Sequence, residues 1–179
     1  MALVKSTVAV LALGGFFGFA AQASAMELAS PDVAPGATLA KAQVHSECEG
    51  GNVSPALTWS GAPTATKSFV VTLFDPDAQG GWWHWIVYNI PAAANGLSRG
   101  AGAGALPAGA RMGRNDFGKS AYGGACPPPG SGAHHYRFTV WALGTNALPT
   151  EGATEGEFVG PYLTTHALAS ATLTATYER

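Results

Sequence analysis

Charge is scarce in this 179-residue chain. Only 11% of its residues are Asp, Glu, Lys or Arg, and the 9 basic ones are scattered. A weakly acidic chain with no basic patch or stripe lacks the electrostatic footprint that nucleic acids or anionic membrane surfaces require. Cysteine is scarcer still: Cys48 and Cys126 are the only two, so no zinc-finger spacing exists. The compact zinc-hydrolase motif His-Glu-x-x-His is also missing. No long 3.6-residue apolar stripe occurs before Glu151, which argues against a helical architecture. With no internal repeat and no linker-like stretch, the length suits one well-buried core and is too short for two typical domains.

The one continuous apolar stretch is at the start. Within residues 1–25, Lys5 is the only charge, an apolar run extends from Val8 to about Ala21, and Ala23-Ser24-Ala25 forms a small-x-small cleavage site. This is the pattern of a secretory signal peptide. A spanning helix needs roughly 20 strongly apolar residues, and Gly14, Gly15 and Gly18 weaken this run further. The expectation is therefore a cleaved leader at 1–25, a mature domain at 26–179 with no transmembrane segment, and a periplasmic or secreted location. Two cysteines in the mature part of an exported protein read as a Cys48–Cys126 disulfide. The competing reading is a free, nucleophilic Cys126 near histidines.

Past the leader, Gly, Ala, Pro and Thr dominate, and apolar residues gather in short runs separated by turn residues. That punctuation predicts a mainly β protein. Strand runs are expected at Ser68–Asp75, His84–Ile90, His135–Leu143 and Ala171–Tyr177. The first is apolar on both faces and should be central. Glu155–Leu168 is the best helical candidate, although Gly160-Pro161 interrupts it, so one or two short helices are expected there. Arg99–Gly113 is nearly featureless small-residue sequence and reads as a long surface loop.

The polar residues with chemical potential lie at the ends of these runs. Asp75 closes the first strand, and Asp75-Pro76-Asp77 makes a stiff turn with two carboxylates. His84 opens the next run and, by simple alternation, shares a face with Ile86, Tyr88 and Ile90. The stiff segment Cys126-Pro127-Pro128-Pro129-Gly130 delivers His134, His135 and Tyr136 to a third run. Imidazole and phenol can donate to an oxyanion, and an aspartate can orient an imidazole. An Asp-Pro-Asp alone is usually just a turn, and Trp82, Trp83 and Trp85 are more often packing residues than a ligand cage. The weight lies in the ensemble.

At these residues the sequence resembles a known family. Leu73-Phe74-Asp75-Pro76-Asp77-Ala78, followed by Trp83-His84-Trp85-Ile86-Val87-Tyr88-Asn89-Ile90-Pro91, is similar to the first signature of the phosphatidylethanolamine-binding, or Raf-kinase-inhibitor-like, proteins. Gly113-Arg114-Asn115-Asp116-Phe117-Gly118, then Tyr122-Gly123-Gly124-Ala125-Cys126-Pro127-Pro128, then Gly130, His134, Tyr136 and Phe138 are similar to the second. The likeness runs from about Glu27 to Arg179, includes Asn52–Trp59, and is strongest to the bacterial branch. It implies a single-domain β-sandwich with a few short peripheral helices and a pocket at a sheet end for phosphate-like anions or phospholipid headgroups. Carried over by motif, Asp75, His84, Pro127, His134 and Tyr136 form the pocket, with Asp77 and Trp82 or Trp83 at its mouth. Two departures mark the rim: Ala78-Gln79-Gly80-Gly81 replaces the usual Ala-Pro continuation, and Cys126 stands where glycine is frequent.

The expected function is that of an exported binding protein, not an enzyme, without cofactor or metal. His84 and His134 are expected to donate to an anionic headgroup, with Asp75 orienting an imidazole and Tyr136 adding a hydroxyl. The rival is an interaction module that inhibits a protease or signalling partner through the rim near Trp82 and Trp83. A third class is enzymatic: a hydrolase using Cys126, or a metal site of the two histidines and Asp75.

Overall fold

The computed structural model describes residues 25–149 and 154–179. The leader read at 1–25 lies, except for Ala25, outside the described residues. Two antiparallel sheets form a sandwich. One has three strands in the order β1 (Glu27–Ala29), β2 (Leu57–Ser60), β5 (Gly96–Leu97). The other has five, in the order β6 (Arg111–Met112), β4 (Trp82–Pro91), β3 (Ser68–Asp75), β7 (His134–Leu143), β8 (Ala167–Tyr177). Among the described residues, one α-helix, α1 (Gly156–His166), and short 3-10 turns at Lys41–Gln43, Ser46–Cys48 and Ala101–Ala103 accompany the sheets. The mainly β, single-domain sandwich expected from the sequence is what forms.

Hydrophobic patterning explains the layers. β3 is the central strand of the large sheet, hydrogen-bonded to β4 and β7 along its length. Its Phe69, Val71 and Leu73 join Phe138 and Val140 in the core beneath the small sheet, where Trp59 meets Phe69 at 5.4 Å between ring centroids. Val70 faces the other way, into a smaller cluster with Ile86, Leu143, Val159 and Leu163 under α1. Both faces of β3 are thus covered, as its unbroken apolar run requires.

Two irregularities in β4 change which residues share a face. Opposite β3, Leu73 pairs with Trp85 and Phe74 with Trp83, so His84 is the extra residue of a bulge. A second shift lies between Phe69 and Val71, opposite Asn89, whose φ is 57° and whose Oδ1 accepts from the Leu148 N–H at 2.7 Å. Simple alternation therefore fails here. Trp85, Val87 and Ile90 point into the main core, whereas Ile86 and Tyr88 turn toward α1. His84 does not share a face with those two.

Trp83 is also on the α1 side, 4.5 Å from the Phe74 ring. Gly156 and Gly160 lie directly against its indole, and a β-carbon at either would run into the ring. The sequence placed a helix from Glu155 to Leu168 with a break at Gly160-Pro161; instead α1 runs through Pro161 without interruption, shielding Trp83. The helix ends at His166, and β8 begins at once, four residues before the expected Ala171. Arg99–Gly113 is more ordered than a surface loop. Ala101 is buried, and Arg111–Met112 adds an edge strand to β4.

Cys48 and Cys126 form a disulfide across a sequence separation of 78. It joins the 3-10 turn at Ser46–Cys48 to the segment entering the proline run. Closing a loop of this length is worth about 4 kcal/mol in the chain-entropy account. A Cys48→Ser/Cys126→Ser protein is accordingly expected to lose up to about 4 kcal/mol in urea unfolding; an unchanged midpoint would show that the bridge contributes no stability.

Candidate functional site

The ends of β3, β4 and β7 converge on one cavity of about 530 Å³, a size suited to small ligands. Asp75, Asp77, His84, Pro127, His134 and Tyr136 line it. Trp83 does not, because the bulge at His84 and the packing of α1 send its indole to the opposite face. Trp82 occupies the mouth instead, beside Ala78, Gln79, Phe117, Pro128 and Ser131.

His84 is fixed by its surroundings. Its Nδ1 lies 2.9 Å from the Gly123 carbonyl oxygen and 3.1 Å from that of Gly124. Carbonyls only accept, so Nδ1 carries the hydrogen and donates it to this pair. The backbone completes the clasp, with Gly123 N–H donating to the His84 carbonyl at 2.9 Å. Asn115 donates to that carbonyl at 3.2 Å and to the Ala121 carbonyl at 2.9 Å. Asn52 accepts the Gly124 N–H at 2.8 Å. Side chains are not tolerated at either glycine: one at Gly123 would enter the Phe117 ring, and one at Gly124 the backbone of Gln43–His45.

Burial sets the charge of this imidazole. Desolvation holds the His84 pKa down at about 4, outweighing the two carbonyls and the Asp75 carboxylate, which favour the charged form. At neutral pH the ring is uncharged, and Nε2 bears a lone pair.

A second network anchors the opposite wall. Asp75 Oδ1 accepts from the backbone N–H groups of Asp77 at 2.9 Å and Ala78 at 3.3 Å, closing the turn after β3. Its Oδ2 lies 2.7 Å from His134 Nδ1. The other His134 nitrogen is 3.0 Å from Ser131 Oγ, whose hydroxyl lies 2.8 Å from the Pro128 carbonyl. Both nitrogens of His134 are therefore engaged within the protein. Neither histidine offers the cavity a free N–H, which corrects the expectation that the pair donates to an anion. Asp77 is more exposed and holds His135, accepting from its backbone N–H at 2.6 Å and lying 2.9 Å from its Nδ1. Those bonds from His135, the backbone one first, lower the Asp77 pKa.

The donors are elsewhere. The Tyr136 hydroxyl and the Trp82 indole N–H are buried and find no hydrogen-bond partner among the described residues. Burial first, then the Asp75 carboxylate, raises the Tyr136 pKa far beyond the ordinary phenol range. The Cys126 backbone, placed close to the phenol oxygen, opposes that shift. The phenol stays protonated and able to donate. Gln43 and the Trp85 indole also hold orphaned polar atoms, but neither residue lines the cavity.

Aromatic contacts stiffen the remaining wall. Phe117 meets Trp82 and His84 edge-on, both at 5.4 Å between ring centroids, and His45 stacks on it at 4.6 Å. His84 meets Tyr136 edge-on at 5.2 Å. Sequence reasoning gave Phe117, Asn115, Asn52 and Ser131 no role in the site. Phe117 and Asn115 lie inside the second signature, and Ser131 follows its Gly130, so their positions offered a signal that residue chemistry alone did not.

The depressed His84 pKa sets a pH dependence. The unfolded chain, with an ordinary histidine, binds a proton below about pH 6.5, whereas the folded chain does so only near 4. This contribution is intact above pH 6.5 and is lost as pH falls toward 4. About 3 kcal/mol should disappear across that window, measurable by urea unfolding at successive pH values. His84→Gln is expected to flatten the profile; an identical slope in both proteins would contradict the assignment.

The same arrangement of strands and signatures occurs in known proteins. The sequence profile described as phosphatidylethanolamine-binding protein matches residues 29–178. UPF0098 protein YbcL of Escherichia coli strain K12 is 48% identical over 179 residues, covering 96% of this chain and 98% of its own. UPF0098 protein YbhB of the same strain is 44% identical over 159 residues, covering 86% and 100%. The crystal structure of E. coli YbcL, described as a new member of the mammalian PEBP family, superposes with a TM-score of 0.83 at 47% identity, covering 87% of this chain and 99% of that one. This chain belongs to the phosphatidylethanolamine-binding protein family.

Proposed function

We propose that this chain is an exported binding protein whose cavity holds a small phosphate-like anion, free or as a phospholipid headgroup, and that it performs no catalysis. The observation that carries this reading is the pair of orphaned donors. Leaving a buried donor unmade costs about 1–3 kcal/mol, and the two residues that carry these donors both line the cavity, so an acceptor that reached them would recover that cost. An oxyanion supplies several, and hydrogen bonds to a charged acceptor are the strong ones.

The other features fit. With Cys126 held in the disulfide, no thiolate is available for a hydrolase mechanism. The leader-like sequence at 1–25 and the disulfide both suit an oxidising compartment, the periplasm or the exterior. Among the described residues, no helix is long and apolar enough to cross a membrane. The rival protein-interaction reading relied partly on Trp83, whose indole is packed against α1.

Tyr136→Phe tests the proposal with little risk to folding, since the hydroxyl donates to no group among the described residues. Titration calorimetry with phosphorylethanolamine is expected to show affinity falling by roughly 10- to 100-fold, the value of one hydrogen bond to a charged group. The unfolding midpoint should stay level or rise. Equal affinity in the two proteins would remove the anion-binding reading.

A further inference from the structure

β8 ends the large sheet, with β7 along one side and its other side at the edge. Near the cavity that edge is covered. The Thr174 and Thr176 carbonyls accept the Gly36 and Leu39 N–H groups, both at 2.8 Å, and the Thr176 N–H donates to the Ala37 carbonyl at 2.9 Å. In an antiparallel ladder, successive residues alternate between bonding one neighbour and facing the other side. The register with β7 is unbroken from Tyr177 back to Ala169, so Thr172 and Ser170 share the outward phase of Thr174 and Thr176. Their N–H and C=O groups point off the sheet and take no partner among the described residues.

Natural sheets guard such an edge with lysine, proline, a bulge or a covering segment. Along the open stretch these guards are missing: from Ala167 to Tyr177 the strand has no charged residue and no proline, and the cover stops at Thr174. The side chains there, Ala169, Ser170, Ala171 and Thr172, are small enough to let a second backbone approach, and Leu168 at the head of the stretch is 46% exposed. We propose that this edge pairs with the same edge of a second copy, making a twofold-symmetric dimer. Antiparallel pairing about Ala171 sets Ser170 of one copy against Thr172 of the partner subunit, the two exchanging N–H···O=C bonds in both directions, and the twofold repeats the pair. The donors and acceptors of the stretch are thus their own complement, and an uncharged strand meets no like charge in its own image. The Gly36–Leu39 cover stops the pairing at Thr174 and so limits its register. The cavity lies at the His134–Tyr177 end of the β7–β8 pair and the open edge toward the Ala142–Ala169 end, so dimerisation leaves the cavity mouth free and does not depend on what the cavity binds.

Sedimentation and amide exchange of the mature protein read this pairing directly. The Ser170 and Thr172 amides are expected to exchange freely in dilute protein and to slow by at least roughly tenfold as rising concentration drives the chain into dimers. Ser170→Pro removes an outward N–H without breaking the ladder to β7, and Ser170→Lys sets two like charges beside the axis. Each substitution enters the interface twice, so the dimer constant should weaken by roughly 10- to 100-fold in either variant. The urea midpoint of the dilute protein should not move.

A chain that stays monomeric up to about 1 mM would overturn the proposal and leave the edge to an extended segment of another protein. A dimer whose constant is unchanged in Ser170→Lys would overturn it too, as would concentration-dependent protection confined to amides outside Leu168–Thr172, since either result places the contact elsewhere. Should Ser170→Pro fail to fold, Ser170→Lys and the exchange of the unmodified protein decide the matter.

Discussion

The donation of His84 Nδ1–H to two backbone carbonyls organises the rest of the site. It ties the bulged end of β4 to the Gly123-Gly124 turn and settles which nitrogen faces the cavity. The turn can present both carbonyls only because its residues lack side chains and because Asn52 and Asn115 hold the adjoining backbone. Remote features of the sequence, an asparagine before β2, a glycine pair before the disulfide and a bulge in β4, are therefore parts of one device. Burial then keeps the ring uncharged, so the cavity floor is an acceptor.

The opposite wall is built by the same principle of internal satisfaction. Asp75 uses one oxygen to close its own turn and the other to hold His134, which is held in turn through Ser131. The disulfide anchors the entrance to the Pro127–Pro129 segment that carries this wall. Groups that might have reached a ligand are bonded to the protein, and two that might have been bonded to the protein are left open. The cavity is left with rigid walls, partnerless donors on the lining residues Tyr136 and Trp82, and one lone pair at His84.

Much of this was legible in the sequence. The doubly apolar run at Ser68–Asp75 marked the central strand, and the signatures brought Asp75, His84, Pro127, His134 and Tyr136 to one sheet end. Alternation misled at β4, because a bulge adds one residue that no period-two pattern registers, and this misplaced Ile86 and Tyr88 relative to His84. Pro161 suggested a broken helix, yet packing over Trp83 holds α1 continuous through it. The hydrogen-bonding roles of the histidines were not legible. Whether an imidazole donates or accepts depends on what its other nitrogen meets, and in each case that partner lies far away in sequence, at Gly123, Gly124 or Asp75.

Nitrogen-15 NMR of the His84 ring in the ligand-free protein tests the central claim most directly. Near neutral pH, Nδ1 should report a bound hydrogen and Nε2 a lone pair, in an uncharged ring that persists down to about pH 5. An imidazolium at neutral pH, or a hydrogen on Nε2 instead of Nδ1, would turn the cavity floor into a donor and contradict the account.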